Sequence, residues 1–89
     1  MLEVLVHVTM DREDAATIAQ FEDGLAKVAA VRSAERLFGE PDYLLRVVTA
    51  DIGAYQVLRD EQLATLPGVH RLSSTIVMKQ VVDERPLPL

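Results

Sequence analysis

Side chains capable of chemistry are sparse in this chain, and their spacing excludes more than it suggests. His7 and His70 are its two histidines, no second His stands three or four residues from either, and there is no Cys. A zinc site needs three or four ligands in a defined geometry, so no metal and no cofactor is expected. Ser33, Ser73 and Ser74 lack the glycine-flanked elbow and the matched base that a nucleophilic serine uses. Gly24, Gly39, Gly53 and Gly68 are scattered, which removes a phosphate-cradling loop. No catalytic residue is expected, and the chain reads as no enzyme.

Charged residues are better placed. Arg32, Arg36 and Arg46 read either as an anion site or, more simply, as partners for Glu3, Glu35 or Glu40. Glu13-Asp14 and Glu22-Asp23 read as a solvated helix face. The segment Gly39-Glu40-Pro41-Asp42 stands apart: Gly tolerates φ > 0, Pro fixes φ, and Asp bonds its own backbone. A carboxylate at the mouth of an apolar hairpin suits the ammonium group of a small molecule. It equally suits the side-chain cap of a plain type I turn, and the residues alone leave both readings open.

The surrounding elements follow from periodicity. Leu2, Val4, Val6, Val8 and Met10 alternate as one face of a first strand over residues 2–10. Asp11 is the expected N-cap of a helix, with Glu13 and Asp14 in its first turn and a stripe of Ile18, Phe21, Leu25 and Val28. A second strand runs over residues 31–38. Beyond the turn, Tyr43 to Thr49 is nearly continuous in apolar residues and is expected to be buried on both faces. Asp51 caps a second helix carrying Tyr55, Leu58, Leu63 and Leu66, stopped by Pro67-Gly68. A fourth strand is expected over residues 69–82, and the tail 83–89, with alternate prolines, cannot continue a central strand.

The order β-α-β-β-α-β predicts an α+β, ferredoxin-like fold: a four-stranded antiparallel sheet with two helices on one face. Leu5, the two-sided third strand and Ile76, Val77 and Met78 leave the other face apolar, as an oligomer interface would be.

Composition bounds the rest. Eighty-nine residues allow one domain, expected over 1–82 with the tail beyond it. The chain is 49% hydrophobic but only 4% aromatic, too apolar for a disordered segment. A net charge of −5 opposes direct DNA binding and docking on anionic membranes. No apolar run reaches the ~20 residues of a membrane span, and Met1-Leu2-Glu3 carries no basic leader, so a cytoplasmic location is expected.

Phe38-Gly39-Glu40-Pro41-Asp42-Tyr43-Leu44-Leu45-Arg46-Val47 resembles the Gly-x-x-Asp-Tyr-Leu-Leu-x-Val segment of the Lrp/AsnC family's C-terminal domain, called RAM. Asp51 to Tyr55, Leu66-Pro67-Gly68-Val69 and the final Pro86-Leu87-Pro88-Leu89 continue the likeness over essentially the whole chain. The resemblance implies a dimeric α+β barrel type of assembly: a homodimer paired through the sheets, and an octamer where four dimers form a ring. It implies an amino acid effector bound between dimers, near Gly39, Glu40, Pro41 and Asp42 and the last-strand residues Ser74 and Thr75. Leu72 stands where a second Thr is common in the family, which removes a hydroxyl. Full-length members carry a DNA-binding helix-turn-helix that this sequence does not include, so the resemblance implies a stand-alone module that modulates transcription by assembling with full-length regulators. Two rivals share the fold. A barrel enzyme of oxygenase or isomerase type would need a polar cavity between helices and sheet, and an assembly scaffold would bind no ligand.

Overall fold

Period-two alternation in the first strand organises the molecule. In the computed structural model, which describes residues 1–88, β1 (Leu2–Met10) buries Val4, Val6, Val8 and Met10 and leaves Glu3, Leu5, His7 and Thr9 half-exposed on the opposite face. The chain continues through α1 (Ala15–Ala26), β2 (Val31–Arg36), β3 (Tyr43–Thr49), α2 (Ile52–Leu58) and β4 (Val69–Ile76). The sheet order is β2-β3-β1-β4 and every neighbouring pair is antiparallel, the expected ferredoxin-like arrangement. Val4, Val6 and Val8 pack with Phe21, Leu25, Leu45, Val47, Tyr55 and Leu63 between sheet and helices. Leu89, the last residue of the expected tail, lies outside the described residues.

Five sequence expectations are corrected. The N-cap of α1 is Asp14, not Asp11: its carboxylate accepts from the Thr17 backbone N–H at 2.9 Å, whereas the Asp11 N–H donates to the Gly68 carbonyl. The second helix is not α-helical to Leu66. The five-residue step from Leu58 to Leu63 does not fit a 3.6-residue period, and Arg59–Leu63 widens into a π-helical turn that brings Leu63 onto the buried side. β2 stops at Arg36, where the Leu37 N–H closes the hairpin on the Asp42 carbonyl. β4 ends at Ile76 rather than Val82: Ile76, opposite Val4, is its last paired residue, and the Val77 N–H to Glu3 carbonyl bond is the last rung. Finally, β3 is buried on one face only in the single chain: Tyr43, Leu45 and Val47 are buried, Leu44 and Val48 are half-exposed, and Arg46 is exposed.

The face away from the helices is consequently mixed rather than continuously apolar. Leu5, Leu44, Val48 and Val77 share it with Glu3, His7, Arg46, Ser73 and Thr75.

Gly68 joins the π-helical turn to β4 with φ of 78°, and a Cβ there would collide with the Thr17 methyl and lie 3.0 Å from Met10 Cε. Gly68→Ala is therefore expected to cost about 2–3 kcal/mol from left-handed strain and overpacking together, read as a lower urea midpoint with unchanged slope.

Candidate functional site

The hairpin turn is where sequence reading placed a ligand. Gly39 has φ of 138°, where L side chains are strained, and the Glu40–Pro41 peptide is cis. Asp42 is engaged on every side: its N–H donates to the Val8 carbonyl at 2.9 Å, its carbonyl accepts from the Leu37 N–H, and its Oδ2 accepts from the Met10 N–H at 2.7 Å. The carboxylate ties the end of β1 to the start of β3 and still borders a cavity. That cavity holds only 70 Å³, lined by Met10, Glu13, Ile18, Arg36, Leu37, Asp42 and Tyr43. Small-molecule sites span about 300–1,000 Å³, so one chain does not enclose an amino acid here.

Glu13 faces Asp42 across this cavity and gave no sequence signal beyond a helix-proximal acid. A hydrogen bond between the two carboxyls, then their mutual repulsion, raises the Glu13 pKa above its ordinary value. Beside them, Glu22 does more than face solvent. Its Oε2 accepts from Arg36 Nε at 2.8 Å and from the Tyr43 hydroxyl at 2.6 Å, and these bonds hold its carboxyl below the usual range. Burial and the Glu22 bond push the Tyr43 phenol up to about 12. Arg36 therefore pairs with Glu22 rather than with Glu35 or Glu40, while Arg46 does pair with Glu3, at 2.5 Å.

The last strand separates the other expected residues. Register puts Ser74 opposite Val6 on the helix side, where its hydroxyl meets the Tyr55 hydroxyl at 2.5 Å at the edge of a 450 Å³ groove between α2 and β4. Thr75, opposite Leu5, lies on the outer face. Asp42 and Ser74 stand about three β1 residues apart along the strand and two strand spacings across it, about 14 Å, so one chain does not bring them together. The proposed interface set also divides. Leu5 and Val77 lie on the outer face, Ile76 lies on the helix side, and Met78 is exposed beyond the strand. Among the described residues no cluster of three or more His, Cys, Asp or Glu is arranged to hold a metal, and no helix is long and apolar enough to cross a membrane.

Comparison with known proteins adds a family. The model of the Lrp/AsnC ligand binding domain matches residues 3–87. The Bkd operon transcriptional regulator of Pseudomonas aeruginosa is 32% identical over 88 residues, 99% of this chain and 58% of that protein. The leucine-responsive regulatory protein of Escherichia coli is 32% identical over 97% of this chain and 52% of its own length. A transcriptional regulator of Neisseria meningitidis, solved as a complex with L-Met, superposes with a TM-score of 0.88 at 28% identity over 98% of this chain and 56% of that one. The chain thus spans about half the length of the relatives it matches.

Two titrations test the site. The raised Glu13 pKa means that its contribution to stability is complete below its ordinary value of 4.5 and is lost as pH rises through the higher folded value. Glu13→Gln keeps a donor towards Asp42 at every pH, so the variant is expected to melt above the parent at pH 7 and level with it at pH 4. Glu22 has the opposite sign: its lowered pKa gives stability present above the ordinary value and lost as pH falls through the folded one. Tyr43→Phe is expected to cost about 1 kcal/mol at pH 7, discounted for the partial exposure of Glu22, with the difference closing in acid as denaturant midpoints are compared.

Proposed function

The chain belongs to the Lrp/AsnC ligand-binding-domain family, and on that premise we propose that it is a small-molecule-binding and oligomerisation module of these transcriptional regulators. The observation that carries this reading is the backbone course shared, from β1 to the tail, with a regulator solved as a complex with L-Met. The effector is an amino acid. Its ammonium goes to Asp42, and its carboxylate to backbone N–H groups of the Gly39-Glu40-Pro41 turn with a hydroxyl from Ser74 or Thr75. Because the turn cavity is small and Ser74 stands about 14 Å away in the same chain, a neighbouring copy completes the site.

A homodimer forms through the outer sheet face, where Leu5 and Val77 would be covered, and dimers extend to an octameric ring. With a charge of −5 the module has no electrostatic basis for holding duplex DNA itself, so it acts on transcription through full-length regulators with which it assembles. The non-catalytic part of the reading is supported by the matched relatives, which are transcriptional regulators. Its setting is the cytoplasm, with the regulators it serves.

Light scattering is expected to give at least twice 9.9 kDa, and Leu5→Lys, which sets a charge beside Arg46, to lower the mass without unfolding the chain. A parent that is monomeric at micromolar concentration would remove the interface. In a thermal-shift screen of the twenty amino acids, Asp42→Asn keeps the acceptor for the Met10 N–H and loses the charge, so it is expected to weaken effector binding about tenfold or more.

A further inference from the structure

A further cavity, larger than the one at the hairpin turn, lies within the single chain. A groove of 410 Å³ runs between the C-terminal half of α1 and the edge strand β2. It shares Arg36 and Tyr43 with the small turn cavity but includes none of residues 39–42. Its volume falls within the range of about 300–1,000 Å³ typical of small-molecule sites. Leu25, Val28 and Val31 make an apolar floor, and Ala26 and Ala34 keep the walls low.

One end of the groove is polar in a particular way. The Tyr43 hydroxyl and Arg36 Nε both donate to the same oxygen of Glu22, Oε2. Among the described residues, Oε1 accepts no hydrogen bond and the two Nη groups of Arg36 have no carboxylate partner. An open carboxylate oxygen and an open guanidinium fork thus sit side by side, locked by one shared bond pair. Tyr43, which anchors them, is itself fixed by burial and by the Phe21 ring at 4.6 Å. A free α-amino acid carries the complementary pair, an ammonium and a carboxylate on one carbon. A short branched aliphatic side chain would then lie on the Leu25–Val28–Val31 floor.

We propose that this groove is an amino acid site in its own right, built within one chain, with Glu22 taking the ammonium, Arg36 the carboxylate, and the α1–β2 floor an aliphatic side chain. It depends on the sensing role above only for the choice of probe. The Arg36 and Tyr43 bonds keep Glu22 ionised, so binding is retained at neutral pH and lost in acid. The two charged contacts act together, so a ligand lacking either group binds more weakly.

The test is an amide-shift titration of the intact chain with L-leucine to millimolar concentration, beside 4-methylpentanoate, which lacks the ammonium, and 3-methylbutylamine, which lacks the carboxylate. Shifts at residues 22–36, weaker for both truncated ligands, are expected. Glu22→Gln and Arg36→Gln are each expected to weaken L-leucine about tenfold. Ala34→Phe, at an exposed position, is expected to block the groove with the fold intact. Retention of those shifts in Ala34→Phe, or none in the parent with any aliphatic amino acid, overturns the inference. Shifts confined to the turn and β4, abolished by Asp42→Asn, overturn it and uphold the turn site. Groove binding that Asp42→Asn leaves unchanged upholds it and removes the turn as the site for that ligand.

Discussion

Everything in this fold is registered on β1. It is hydrogen-bonded on one edge to β3 and on the other to β4, and Val4, Val6 and Val8 are each fully buried under the helices. With side chains alternating at period two, a slip of one residue would exchange this valine row for Glu3, Leu5, His7 and Thr9. The register of β1 therefore decides which last-strand residues face the helices and which face outward. Ser74 and Thr75 are adjacent in sequence and lie on opposite sides of the sheet for that reason alone.

Two carboxylates with the same formal charge serve different ends because their surroundings differ. Asp42 is occupied by backbone: it holds β1 to β3 through the Met10 N–H while its own N–H and carbonyl complete the hairpin. Glu22 is held by side chains, both on one oxygen, and keeps the other free. A carboxylate engaged by the main chain is a poor candidate for exchange with a ligand unless a neighbouring copy brings further groups. One that spends a single oxygen can still accept. The turn cavity and the α1–β2 groove are thus chemically distinct although Arg36 and Tyr43 line both.

Stability is distributed in the same uneven way. The core between sheet and helices is aliphatic, with Phe21 and Tyr43 its aromatic contact and no buried polar side chain among the described residues. Ion pairs stand at the surface, where solvent reduces each to a small contribution. The open sheet face carries both apolar and charged groups, Leu5, Leu44 and Val48 beside Glu3, His7 and Arg46.

Local patterning by itself determined the element order and the fold class, because alternation on β1, the stripe Phe21–Leu25–Val28 and the Gly39–Asp42 turn are signals within a few residues of one another. It also carried the family resemblance, through the Gly-x-x-Asp-Tyr hairpin and Leu66-Pro67-Gly68-Val69. Where elements end was decided by partners. β4 stops at Ile76 opposite Val4, the helix after Asp51 widens where Leu63 reaches the core, and Asp14 rather than Asp11 caps α1 while the Asp11 N–H bonds the Gly68 carbonyl. The side-chain meetings around the candidate site were decided in the same way: Glu13 meets Asp42, and Glu22 meets Arg36 and Tyr43, across separations of 14 to 29 residues. No local pattern encodes such meetings, because they depend on how α1 is set down on the sheet.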